Sequence, residues 1–294
     1  MTGRWFDERL YPDTRFSFLA DEVLVEETGG QQELVLIHNP TFGRVLVLDG
    51  VTQITEADEF VYSEMMAHVP IVAHGAARRV LIIGGGDGAI AQEVLAHPSV
   101  ERCTLVDIDP AVVEFSRAHL ASIHQGVFDD ERFELHIGDG AAYVGDEVGH
   151  FDVIIVDSTD PIGPGAVLFT REFYDGCRRS LNPGGVLVTQ NGVPFLQSDE
   201  LASSVAHFAE LFADGACYLA PVPTYVGGHL AMGWASDDAA LRGLPVTELA
   251  ARWERAGVET RYYTPAVHAA AFALPRFVSD VVDQARRTGL ARPR

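Results

Sequence analysis

Val80-Leu81-Ile82-Ile83-Gly84-Gly85-Gly86-Asp87-Gly88 decides the fold. Its continuous apolar start reads as a strand buried on both faces. It opens on a glycine turn, where backbone can approach a ligand closely, and residues 90–95 then have helical character. The pattern repeats downstream. Residues 103–106 lead to Asp107-Ile108-Asp109-Pro110 and a helical segment at 112–120. Residues 133–137 end at Gly138-Asp139-Gly140, and 153–156 at Asp157-Ser158-Thr159-Asp160-Pro161. Residues 186–189 end at Gln190-Asn191-Gly192. Apolar strands alternating with helices predict an α/β, Rossmann-like architecture: a mostly parallel sheet with helices on both faces. Tyr218-Leu219-Ala220 and residues 230–234 predict an antiparallel pair at the sheet edge.

Upstream the pattern differs. Val23-Leu24-Val25, Leu34-Val35-Leu36-Ile37 and residues 43–50 read as short strands with no helical period. From about Asp58, Phe60, Met65, Met66, Val69 and Ile71 predict a helix ending near Pro70. The expected organisation is a small β-domain over residues 1–60 and a nucleotide-binding domain over 61–294.

Composition narrows the function. The 294 residues are 47% hydrophobic and 21% charged, which supports a sizeable core. No stretch approaches the ~18 apolar residues of a membrane span. The N-terminal residues lack the basic and apolar regions of a signal peptide, so a reducing cytoplasm is expected. Cys103, Cys177 and Cys217 form no CxxC pair, and the eleven histidines show no paired ligand spacing. Neither a disulfide framework nor a metal site is expected. A net charge of −21 repels nucleic acid and attracts cations, besides keeping a chain soluble.

Ligands of open α/β sheets bind beyond the carboxyl ends of the strands. The first four predicted parallel strands each end in a carboxylate: Asp87, Asp107, Asp139 and Asp157. Together they mark one acidic crevice. Asp87 stands where a pyrophosphate would want only amides, and the GxGxxG spacing is absent. Asp107 lies 23 residues after Gly84, the place for an acid on a ribose diol. An adenosine ligand without phosphates, of the S-adenosylmethionine class, fits better than a dinucleotide.

Leu48-Asp49-Gly50-Val51-Thr52-Gln53, Asp58-Glu59-Phe60-Val61-Tyr62, Gly84 to Gly88, Asp157-Ser158-Thr159-Asp160-Pro161-Ile162-Gly163-Pro164 and Pro223-Thr224-Tyr225-Val226-Gly227-Gly228 resemble the spermidine synthase family. The similarity runs in order from Trp5 to about Pro275. The resemblance implies a methyltransferase-type Rossmann domain after a small N-terminal β-domain. It implies aminopropyl transfer from decarboxylated S-adenosylmethionine, a co-substrate, to putrescine, with no cofactor and no metal. It implies a homodimer or homotetramer that binds small molecules and neither nucleic acid nor membrane.

Roles follow from the same resemblance. Gln32 matches the glutamine on the nucleoside thioether and Asp107 the acid on the ribose, where the family usually has Glu. Asp139 and Gly140 match the adenine-contacting pair, and Pro164 the proline lining the adenine pocket. Asp87 matches the acid on the aminopropyl ammonium, and Asp157 the general base. Gln53, Tyr62, Asp160 and Tyr225 match the amine pocket, with Trp5 lining its apolar part. Ser63 stands where bacterial members have His and animal ones Gln, so cadaverine, agmatine or a longer amine also enters as acceptor. The chemistry suits these residue types. A sulfonium is already a good leaving group, whereas an aliphatic amine is protonated at neutral pH, the lysine amine at about 10.4 being a guide. A carboxylate that takes its proton addresses this.

Two other classes fit these residues less well. Methyl transfer from S-adenosylmethionine is disfavoured by Asp87, which would repel that donor's carboxylate. A non-catalytic polyamine binder is disfavoured by Asp157 and Tyr225. His68 reads as a core or capping residue, Trp234 as core, and Arg261-Tyr262-Tyr263-Thr264-Pro265 with His268 and Phe272 as packing or an oligomer contact.

Overall fold

A computed structural model describes residues 3–27, 33–146, 150–159, 161 and 163–291. The N-terminal part is all β. Strands β1 (Arg4–Asp7) and β2 (Ser17–Ala20) form an antiparallel pair. Strands β3 (Glu22–Glu27), β4 (Leu34–Asn39), β5 (Gly43–Leu48) and β6 (Val51–Thr55) form an antiparallel sheet in sequence order. Strand periodicity splits its side chains between two partners. Val35, Ile37, Val45 and Val47 pack with Phe18 and Ala20 of the hairpin. Leu34, Leu36, Leu46, Leu48 and Ile54 pack instead on Ala89, Phe115, Leu120 and Ile123 of the following helices.

Helix α1 (Glu59–His74) leads into β7 (Arg79–Gly84), α2 (Ala89–Leu95), β8 (Arg102–Asp107), α3 (Pro110–His119), α4 (Ala121–His124) and β9 (Phe133–Ile137). Then come α5 (Gly140–Asp146), β10 (Phe151–Asp157), α6 (Arg171–Ser180), β11 (Leu181–Gln190), α7 (Ser198–Leu211), β12 (Asp214–Ala220) and β13 (Leu230–Ser236). Helices α8 (Val246–Ala256), α9 (Pro265–Ala271) and α10 (Arg276–Leu290) follow. The seven-stranded sheet runs β12-β13-β11-β10-β7-β8-β9. Neighbours from β11 to β9 are parallel, and β13 pairs antiparallel with both β11 and β12. The expected parallel sheet and its antiparallel edge pair are therefore both present.

Alternate residues of the same strands face opposite layers. Val80, Ile82, Val153 and Ile155 pack with α1 and α2; Leu81, Ile83, Ile154 and Val156 pack with α6, α7 and α10. Among the described residues no helix is long and apolar enough to cross a membrane.

One expectation fails. The first helix does not end near Pro70 but continues to His74, where Gly75 closes it in the left-handed conformation. A proline inside a helix costs about 3 kcal/mol. Every residue from Val61 to Ala73 is buried, so packing against the sheet outweighs that cost. The sheet order reverses between β7 and β10, since β7 continues to β8 on one side and β10 to β11 on the other. That reversal opens a crevice beyond the carboxyl ends of these two strands.

Candidate active site

Gly84 and Asp157 are partners across the β7–β10 pair, at the strand ends facing the crevice. Gly84 sits at φ +80°, and a Cβ there would fall 2.0 Å from the Asp157 carbonyl oxygen. Only glycine permits that approach. The turn that follows delivers Asp87, whose Oδ1 accepts the Ala89 N–H at the start of α2 (2.8 Å).

Asp157 is held from the other side by α1. The Tyr62 hydroxyl donates to Asp157 Oδ1 at 2.6 Å. Burial pushes the Asp157 carboxyl up to about 7; the charge of Asp87 adds to that, and the Tyr62 hydrogen bond opposes it. Asp87 rises to about 6, chiefly through burial, against the Ala89 hydrogen bond and with a contribution from Asp107. Asp107 is also raised by burial. It accepts the Asp109 N–H at 2.8 Å, and backbone hydrogen bonds from Gly86 and Ile108 favour its charged form. Three of the four strand-end carboxylates thus lie within electrostatic reach of one another. Asp139 is placed differently: it is exposed, and its Oδ1 accepts the N–H groups of Ala141 (2.8 Å) and Ala142 (3.4 Å) in α5. Gly140 is packed so closely on Ile83 that a Cβ would come 2.4 Å from its Cγ2.

Tyr225 joins the group from the loop before β13. Its ring meets that of Tyr62 edge-on at 6.0 Å and 84°, and its hydroxyl donates to the Gln53 carbonyl at 2.6 Å. The Gln53 side chain donates to the Val51 carbonyl at 3.2 Å. The loop is tied down by buried Asp58, which accepts from Thr55 Oγ1 (2.6 Å), Thr224 N (2.7 Å) and Thr224 Oγ1 (2.5 Å). A recess of about 10 Å³ lies among Tyr62, Tyr225, Asp58, Glu59 and Thr224. A carboxylate with a proton affinity near neutral, two phenol hydroxyls and a second carboxylate opposite can hold and deprotonate a cationic amine.

Residues 59–242 match the family described as "Spermine/spermidine synthase domain", and residues 4–56 the one described as "Spermidine synthase tetramerisation domain". The chain belongs to the spermine/spermidine synthase family. It is 54% identical over 274 residues to a polyamine aminopropyltransferase of Ruegeria sp. (strain TM1040), covering 93% of this chain and 96% of that one. It is 50% identical over 282 residues to a polyamine aminopropyltransferase of Serratia proteamaculans (strain 568), covering 96% and 98%. Two solved structures are similar as well. A spermidine synthase in complex with the transition state analogue AdoDATO superposes with a TM-score of 0.90 at 36% identity, covering 97% and 96%. The spermidine synthase from Thermotoga maritima gives 0.87 at 34%, covering 96% and 95%.

Within this synthase-family fold the remaining expected residues are dispersed. Trp5 is 62% exposed on β1 and lines a recess of about 510 Å³ in the N-terminal part, together with Glu8, Tyr11 and Thr52. It is not brought to the Tyr62–Asp157 pair. Gln32 and Asp160 lie outside the described residues, as does the side chain of Pro164. Ser63 is buried, and its hydroxyl donates to Glu59 Oε2 at 3.0 Å.

Four residues went unnoticed in the sequence. Glu8 accepts the Thr52 N–H at 3.3 Å, and its charge reaches Tyr225. Asp58 and Thr224 fix the loop that carries Tyr225. Glu59 faces the recess beside Tyr62. Asp58, Glu59 and Thr224 belong to motifs already quoted, and their signal was the run of polar residues beside the tyrosines. Glu8 had none, because it meets Thr52 only through a side-chain contact between segments 44 residues apart.

His68, Trp234 and His268 are buried. His68 is buried, bonded through Nδ1 to His97 Nε2 at 2.9 Å, with Nε2 3.0 Å from Glu93 Oε2. Burial lowers His68 to about 4 and His97 to about 3. Trp234 is buried. The N–H groups of Arg261, Tyr262 and Tyr263 all donate to the buried Glu64 carboxylate, which packs the C-terminal segment onto α1. The three cysteines are buried, and burial pushes Cys217 up to about 12. Among the described residues no group of three or more His, Cys, Asp or Glu is placed to hold a metal ion.

Proposed function

We propose that this chain transfers the aminopropyl group of decarboxylated S-adenosylmethionine to putrescine, giving spermidine and 5′-methylthioadenosine. The observation that carries this reading is the Tyr62–Asp157 hydrogen bond at the β7–β10 crevice, opposite Asp87. The amine lone pair forms the new C–N bond as the C–S bond breaks, and the bonding electrons stay on sulfur, which leaves as a neutral thioether. The surplus ammonium proton passes to Asp157, whose affinity near 7 suits a general base at neutral pH. Asp87 holds the ammonium of the aminopropyl chain, and Asp107 the ribose. Asp139, Gly140, Pro164 and Gln32 complete the nucleoside pocket; Gln53, Asp160, Tyr225 and Tyr62 surround the acceptor. Orientation of two cationic chains supplies much of the rate.

A longer acceptor is the second reading. The recess of about 510 Å³ lined by Trp5 and Glu8 leaves room beyond Thr52 for a further ammonium. Residues 1–60 serve as the assembly domain of a homodimer or homotetramer, residues 61–294 as the catalytic domain, and the cytoplasm is the working compartment. The test is methylthioadenosine formation from the decarboxylated donor with putrescine, cadaverine, agmatine and spermidine in turn. Putrescine turning over fastest supports the first reading, and spermidine the second. No product with any acceptor overturns both.

A further inference from the structure

Glu64 is a buried carboxylate on the helix that carries Tyr62, and it has no part in the transfer chemistry. Its Oε1 accepts the Arg261 N–H at 2.7 Å, and its Oε2 those of Tyr262 and Tyr263 at 2.9 and 2.7 Å. These donors lie beyond residue 242, where the matched synthase domain ends. Phe60, Glu64, His68 and Val72 are spaced by four along α1 and so share one stripe of the helix. The Arg261 guanidinium lies over the Phe60 ring, 3.7 Å from its centroid. His68 packs edge-on against Trp253 of α8 at 5.1 Å and against Tyr263 at 5.3 Å. The carbonyls of Val72 and Ala73 accept from Arg252. The C-terminal segment thus follows this stripe from end to end, while other residues of α1 pack on the sheet.

The N-terminal half of the helix needs that support. Pro70 has no N–H to offer the Met66 carbonyl, so the two halves are joined by one hydrogen bond fewer. The N-terminus has no side-chain cap, since Asp58 is committed to Thr55 and Thr224. Glu64, two residues from Tyr62, supplies three hydrogen bonds from outside the helix. Any of them lost would strand a backbone donor or a buried carboxylate oxygen.

We propose that Glu64 is a positioning residue: by clamping residues 261–263 onto α1 it keeps Tyr62 in hydrogen-bonding contact with Asp157. The inference rests on the transfer reading only for what Asp157 does to the amine. Glu64 acts through Tyr62 and touches no substrate itself.

The test is a carbon-13 NMR titration of the Asp157 carboxyl in the full-length chain, assigned by its loss in Asp157→Asn and independent of turnover. In Glu64→Gln the midpoint is expected to rise by about one pH unit, as the Tyr62 bond that favours the charged carboxyl weakens. The sign separates the causes. Removing the Glu64 charge would, through its field alone, lower the midpoint. A merely structural loss would lower the melting temperature and leave the midpoint in place. Trp253→Leu, which changes no charge, gives a smaller rise. In a Tyr62→Phe background neither substitution shifts the midpoint further. A midpoint that stays or falls in Glu64→Gln, or that rises further on top of Tyr62→Phe, overturns the proposal. If Glu64→Gln does not fold, Trp253→Leu carries the test, and an unchanged midpoint there overturns it. Failure of the transfer reading shows separately, as wild-type protein that titrates in this way but forms no product.

Discussion

The Tyr62 hydroxyl donates to Asp157 Oδ1 across 2.6 Å, joining the helix after the N-terminal sheet to the last residue of the central strand β10. This bond lowers the proton affinity of a carboxyl that burial and Asp87 raise. Removing it in Tyr62→Phe lets that affinity rise. The acid limb of kcat/KM against pH is expected to move to higher pH in the variant, with slower turnover at pH 7. A profile superimposable on the wild type would remove Tyr62 from the control of Asp157.

Asp157 also leaves a mark on stability. Its folded-state value, about 7, lies above its ordinary value of 3.8. The folded state therefore holds a proton that the unfolded state has released, and stability falls as pH rises from about 4 to about 7. Asp157→Asn removes that dependence. The melting temperature of the variant minus that of the wild type should grow over this interval and level off above it. A constant difference from pH 4.5 to 8 would contradict the raised value. The same variant should lose about 100-fold or more in turnover, the usual contribution of a general base.

The buried imidazoles act in the opposite sense. His97 is lowered from 6.5 to about 3, so in the unfolded chain it takes up a proton that the folded chain refuses. Its contribution is intact above about 6.5 and is lost as pH falls toward 3. In His97→Gln the slope of unfolding free energy against pH below 6.5 should be shallower by up to about 1.4 kcal/mol per unit. Urea titrations at pH 5 and 7 measure this, and equal slopes would contradict it.

Thr224 gives Asp58 two of its three hydrogen bonds, and only the side-chain one is removable. Thr224→Val should cost about 1–3 kcal/mol, because Oδ2 is left short of a donor in a buried place. The Tyr225 loop loosens as well, so the acceptor KM should rise more than the donor KM. Equal effects on both would place the damage elsewhere.

Much of the fold was legible because strand and helix periods are local. The apolar run at Val80 and its glycine turn predicted β7, and the strands repeating after it predicted the parallel sheet and its antiparallel edge. Pro70 misled for the same reason: a local rule ends the helix there, whereas burial of its flanks carries it on to His74. The hairpin of β1 and β2 gave little sign, since each strand has four residues and β1 is largely exposed.

The acidic crevice was legible in part. Carboxylates at successive strand ends must gather on one edge of a parallel sheet, so Asp87, Asp107 and Asp157 were placed by the sequence alone. Topology then separated them by rank. Asp87 and Asp157 flank the point where strand order reverses, whereas Asp139, after the outermost strand β9, is exposed and caps a helix. Tertiary structure alone decided that Tyr62 reaches Asp157 and that Glu8 lies within reach of Tyr225. Residue order determines which face of an element a side chain takes. Which group it meets across the crevice depends on how two distant elements pack, and that is set by the whole core.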